Sequence, residues 1–95
     1  METIRSSSYV EQRVLAAVKS SVSPQRAREL TRESLIRTDA LIGPDEFHGI
    51  VHDLTMDLDV HVGSEEAAIL FEQNPTIRDL AELFEGKIQD TAKAV

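Results

Sequence analysis

Ninety-five residues, 41% of them apolar, make one domain with one modest core, and the absence of cysteine excludes disulfides, thiolate metal sites and cysteine nucleophiles. The net charge of −7 is unevenly spread: residues 1–37 carry seven Lys/Arg against four acids, whereas 38–77 carry nine acids and no Lys or Arg, which argues against nucleic acid as a partner. No apolar run approaches the ~18 residues that span a membrane, and Met1–Ser8 has no apolar signal core, so a cytoplasmic protein without membrane contact is expected.

Met1–Ser8, with three consecutive serines, is expected to be a flexible tail. From Tyr9, the valines at 10, 14, 18 and 22 recur every fourth residue and predict a helix over about 9–21. Ser23-Pro24 offers an N-cap followed by proline at the first helical position, opening a short helix to about Leu30. An irregular stretch from Thr31 to Ile42 follows. Gly43-Pro44-Asp45-Glu46 is the strongest start signal, since proline there loses no hydrogen bond and two carboxylates suit the positive end of the helix dipole. Phe47, Ile50, Val51, Leu54 and Leu58 continue it as a buried stripe over 44–58. Gly49 within this helix costs stability and points to a close approach by another helix. Val60 and Val62 alternate too briefly for a strand. Ser64 is placed to cap a short helix near 64–71. Thr76-x-x-Asp79 has capping-box spacing, and Ile77, Leu80, Leu83, Phe84 and Ile88 mark a last helix over about 75–89. The fold class is therefore all-α, with a domain over 9–90 and a short tail at 91–95.

This order of elements resembles acyl carrier proteins, small acidic four-helix bundles with a long first loop. The stretch Leu54-Thr-Met-Asp-Leu58-Asp-Val60-His-Val62-Gly-Ser-Glu65-Glu66-Ala67 is similar to the end of their second helix and the "I-P-D-E-E-A"-like start of the third. Thr76-Ile-Arg-Asp79-Leu-Ala-Glu-Leu-Phe84 resembles the start of their fourth helix, and Val10-Glu-Gln-Arg-Val14 resembles part of their first. The resemblance implies a role in fatty acid or polyketide biosynthesis, tethering acyl or aminoacyl groups as thioesters of 4′-phosphopantetheine for partner enzymes. It also implies an Asp-Ser-Leu triplet whose serine holds the arm, and this chain lacks it. Spacing places the serine position at Pro44; matching by letters places it at Glu46; Asp39-Ala40-Leu41 places it at Ala40. None of the three has a hydroxyl to accept a phosphoryl group, so no cofactor is expected on this chain.

Two readings follow. One is a carrier-like protein whose attachment serine is replaced or lost. The other is an interaction module that docks an acidic helix, through Asp45, Glu46, Asp53 and Asp57, on a basic partner surface. An unrelated helical adaptor sharing only the pattern is a third. The competing reading of the four carboxylates is internal pairing with Arg13, Arg28 or Arg32. His48 and His52, four apart, could share a metal only with a third ligand such as Asp45 or Asp53, and are read as solvated side chains with no metal. The remaining carboxylates read as a solvated face, and no catalytic constellation emerges, so a non-enzymatic monomer is expected.

Overall fold

The four-residue spacing of Val10, Val14 and Val18 puts all three on one side of a helix, α1 (Arg5–Ser20), where each is buried. The computed structural model describes the backbone of residues 5–93 and the side chains of 9–88. Because α1 starts at Arg5, residues 5–8 belong to the helix and not to a tail; the expectation for Met1–Ile4 lies outside the described residues. Ser23 caps the single-turn α2 (Pro24–Ala27), its hydroxyl oxygen accepting the Arg26 N–H at 3.3 Å, with Pro24 at the first helical position. The helix stops short of Leu30, whose buried side chain leads into the long connection.

That connection has no helix or strand, yet it is well anchored. The Ile36 N–H donates to Pro75 C=O at 2.8 Å, Ile77 N–H to Ser34 C=O at 3.0 Å, and Arg78 N–H to Arg32 C=O at 2.8 Å. Leu35 and Thr76 thus form an isolated antiparallel bridge. The Asp39 carboxylate closes the next turn by accepting the Leu35 N–H at 2.8 Å. Ile36, Ala40 and Ile42 are buried beneath this strap.

Helix α3 (Pro44–Leu58) has the bounds its start signal predicts. Gly43 occupies the N-cap and has no side chain to cap with, so only the return half of a capping box forms: Glu46 Oε1 accepts the Gly43 N–H at 3.3 Å. The helix ends where Asp59 turns left-handed, at φ 57°. Helix α4 (Ser64–Glu72) begins in the same way, with Gly63 at the cap and Glu66 reaching back to it at 3.3 Å; the expected cap, Ser64, is the first helical residue. Before α5 (Ile77–Lys93), Thr76 and Asp79 form the full reciprocal box, at 3.0 and 3.1 Å. The backbone of 91–93, expected as tail, continues α5.

Among the described residues the fold is therefore all-helical, with five helices and no strand. α1 packs against α5, α3 and α2, and α3 packs against α4, where the Phe47 and Phe71 rings lie 4.9 Å apart. Val14, Val18, Phe47, Ile50, Leu54, Leu80 and Phe84 share one core as their spacing predicts, with Leu58 and Ile88 at its margin. Gly49 departs from expectation. It is exposed, and a Cβ there would meet nothing within 4 Å, so it marks no helix–helix approach inside this chain. Gly49→Ala should accordingly raise the unfolding free energy by about 1 kcal/mol, read from urea denaturation with an unchanged m-value.

Candidate functional site

At about 100° per residue, α3 turns Phe47, Ile50, Val51 and Leu54 inward and exposes Asp45, His48, Gly49, His52, Asp53 and Met56. Met56 is 72% exposed, a large apolar side chain among acids and histidines. His48 and His52 both face solvent, His48 edge-on to Phe47 at 6.4 Å. No group of three or more His, Asp or Glu that could hold a metal ion occurs among the described residues.

The three positions at which the carrier resemblance expects an attachment serine fall in different surroundings. Pro44 is exposed at the first position of α3. Glu46 is exposed too, but its carboxylate is engaged in holding the Gly43 N–H. Ala40 is 1% exposed and sealed in the core, which removes it as an anchor for any surface group.

The four carboxylates expected to form one free acidic face do not behave alike. Asp57 is taken by Arg13 of α1, in a two-pronged contact of Nε with Oδ2 at 2.7 Å and Nη2 with Oδ1 at 2.5 Å. The same guanidinium lies 5.9 Å from the centre of the Tyr9 ring. Hydrogen bonding to Arg13 holds the Asp57 carboxyl below its ordinary value, and the bond to Asp57 raises the guanidinium in turn. Asp57 is therefore a strut between α1 and α3, as the internal-pairing reading anticipates. Asp45 and Asp53 differ: among the described residues neither carboxylate has a hydrogen bond or an ion pair.

Four other arginines are engaged away from α3. Arg32 pairs with Glu11 at 3.2 Å, Arg78 with Glu33 at 3.2 Å, and Arg26 donates to the Asp39 carbonyl at 3.2 Å. Arg37 donates to the Glu72 carbonyl at 3.3 Å and lies 5.2 Å from the Phe71 ring centre. These contacts fasten the long connection to α1, α4 and α5. On α4, Glu66 meets Lys87 of α5 at 2.8 Å, and that bond, helped by the Gly63 N–H, depresses its pKa. The sequence offered Arg13, Arg28 and Arg32 alike as internal partners for four carboxylates; which of them takes Asp57 was not readable, since partners 44 positions apart leave no local spacing signal.

No protein-family model, curated protein or solved structure matches the chain. Among the described residues, no helix is long and apolar enough to cross a membrane.

The two depressed carboxyls each add a small contribution to stability that is lost in acid. In both Asp57 and Glu66 the folded-state pKa lies below the unfolded one, so the unfolded chain binds more protons and their contribution is lost as pH falls. Thermal stability should fall as pH drops below about 4, and the Asp57→Asn, Glu66→Gln double variant should show a flatter decline. Melting curves across that range check it.

Proposed function

We propose that the chain is a non-catalytic interaction module with an acyl-carrier-like arrangement of α1, α3, α4 and α5, which docks the exposed acidic face of α3 on a basic partner surface. One observation carries this reading: among the described residues the carboxylates of Asp45 and Asp53 stand unpaired on the same helix as exposed Met56, and the chain's own arginines meet that helix at Asp57. Such a face attracts a basic surface over a Debye length of about 10 Å at 0.1 M salt, and Met56 supplies apolar contact once the surfaces meet. The long connection before α3, the short α4 and the Thr76-capped α5 support the carrier-like arrangement. Pro44 at the first position of α3 supports a carrier-like protein without cargo, because the best-spaced attachment position has no nucleophile.

Two measurements test it. Association with an arginine-rich helical peptide, followed by stopped flow at low salt, should slow about tenfold in the Asp45→Lys, Asp53→Lys double variant, and the difference should shrink in high salt. Equal rates at low salt would end the docking reading. Intact mass after incubation with a phosphopantetheinyl transferase and coenzyme A should be unchanged for the chain as it stands. Restoring the triplet through Gly43→Asp, Pro44→Ser and Asp45→Leu should add one phosphopantetheine; a restored chain that stays unmodified counts against the carrier-like arrangement.

A further inference from the structure

Between α1 and α3 runs an open groove of about 500 Å³, within the size range of small-ligand sites. It exists because the α1 wall is built of small side chains, Ala16, Ala17, Ser20 and Ser21, which leave unfilled space against α3. The α3 wall contributes the exposed Asp53 and the small accessible margins of Ile50 and Leu54, which are 4% and 2% exposed. The Arg13–Asp57 contact marks one end, joining the lining residue of α1 nearest its start to that of α3 nearest its finish.

Arg13 and Asp57 neutralise each other there, so Asp53 leaves the groove with one uncompensated negative charge. The serine hydroxyls add acceptors. Ser20 Oγ–H donates to Ala16 C=O at 3.0 Å and Ser21 Oγ–H to Ala17 C=O at 3.3 Å, so both protons are committed while the oxygen lone pairs remain. An apolar edge with a single free carboxylate and hydroxyl acceptors suits an occupant with an apolar stem, one positive charge and several donors in a plane. An arginine side chain has that form, and an ammonium offers fewer donors in a less directional arrangement.

We infer that the α1/α3 groove is the anchor point of the docking face, seating one arginine side chain of the basic partner with its guanidinium on Asp53 and its stem along Ile50 and Leu54. This rests on the docking reading given above and narrows it to one contact. It also gives α1 a part in recognition, since the width of the groove depends on Ala16, Ala17, Ser20 and Ser21 remaining small.

The test is a titration of the isotope-labelled full chain with a helical peptide of alanine, leucine and arginine, alongside versions carrying lysine or uncharged citrulline in place of arginine. Amide shifts should concentrate at Ala16, Ala17, Ser20, Ser21 and Asp53. Asp53→Asn and the groove-filling Ser20→Leu should each weaken binding about tenfold, the citrulline peptide should not bind, and the lysine peptide should bind less tightly. Ser20 and Ala16 are exposed, so Ser20→Leu, and Ala16→Leu as a second filling variant, should melt like the parent chain and report on the groove alone. Unchanged affinity in Asp53→Asn and in both filled variants overturns the inference, as do shifts confined to Asp45, His52 and Met56. Equal binding of the lysine peptide overturns the choice of arginine. If Asp45→Lys, which lies outside the groove, slows association while the filled variants bind normally, the groove falls and the docking reading stands. If none of these changes alters binding, both fall.

Discussion

Three backbone hydrogen bonds between residues 32–36 and 75–78 hold the rest of the molecule in register. They draw the connection between α2 and α3 across the start of α5, bury Ile36 completely, and place Thr76 where it exchanges hydrogen bonds with Asp79. Ile77, Leu80 and Phe84 then enter the core in helical order, against the valine stripe of α1. A long connection without regular structure is otherwise costly in a domain this small, because its backbone polar groups need partners and its ordering needs compensation from burial. Leu30, Ile36, Ala40 and Ile42 supply that burial. The ion pair of Glu33 with Arg78 spans the same junction from outside; being solvent-exposed, it adds little beside the buried side chains.

What could be read in advance follows the range of the interactions. Helix α3 was legible to the residue, because Gly43-Pro44-Asp45-Glu46 and the Phe47–Leu58 stripe act within a few turns of chain. The Thr76/Asp79 box was legible for the same reason, although aspartate stands where glutamate is usual. The strap was not, since Ile36, Ala40 and Ile42, four and two positions apart, are too few to settle a period, and the partners of this stretch lie far along the chain. At the candidate site, the exposure of Asp45 and Asp53 followed from helical geometry, whereas the choice of Arg13 as the partner of Asp57 depended on how α1 packs against α3. Gly49 was misread because a glycine within a helix reports a cost, and the cost alone does not say on which side the space lies.

Charge is sorted by where the arginines are spent. Arg26, Arg32, Arg37 and Arg78 are engaged with the long connection and its neighbours, so the positive side of the chain is largely used in holding itself together. The free side of α3 is left negative in consequence. Exposed pairs of this kind contribute little to stability, so their larger effect is on the shape of the field a partner meets.

Leu41 adds a separate consequence. It holds φ 56°, a left-handed conformation that costs a residue with a branched side chain about 1–2 kcal/mol, and its side chain is 59% exposed, so no burial offsets the cost. The strain sits between the strap and the first turn of α3, next to the hydrogen bond from Ile42 N–H to Ile36 C=O at 3.1 Å. Local opening at this point releases strain that the other two left-handed residues, Asp59 and Asn74, carry less of, because their short polar side chains tolerate that conformation. A fluctuation at Leu41 would loosen the leading end of α3 and leave the α1–α5 contact intact, so amide protons at the start of α3 should exchange with solvent ahead of those in the valine stripe.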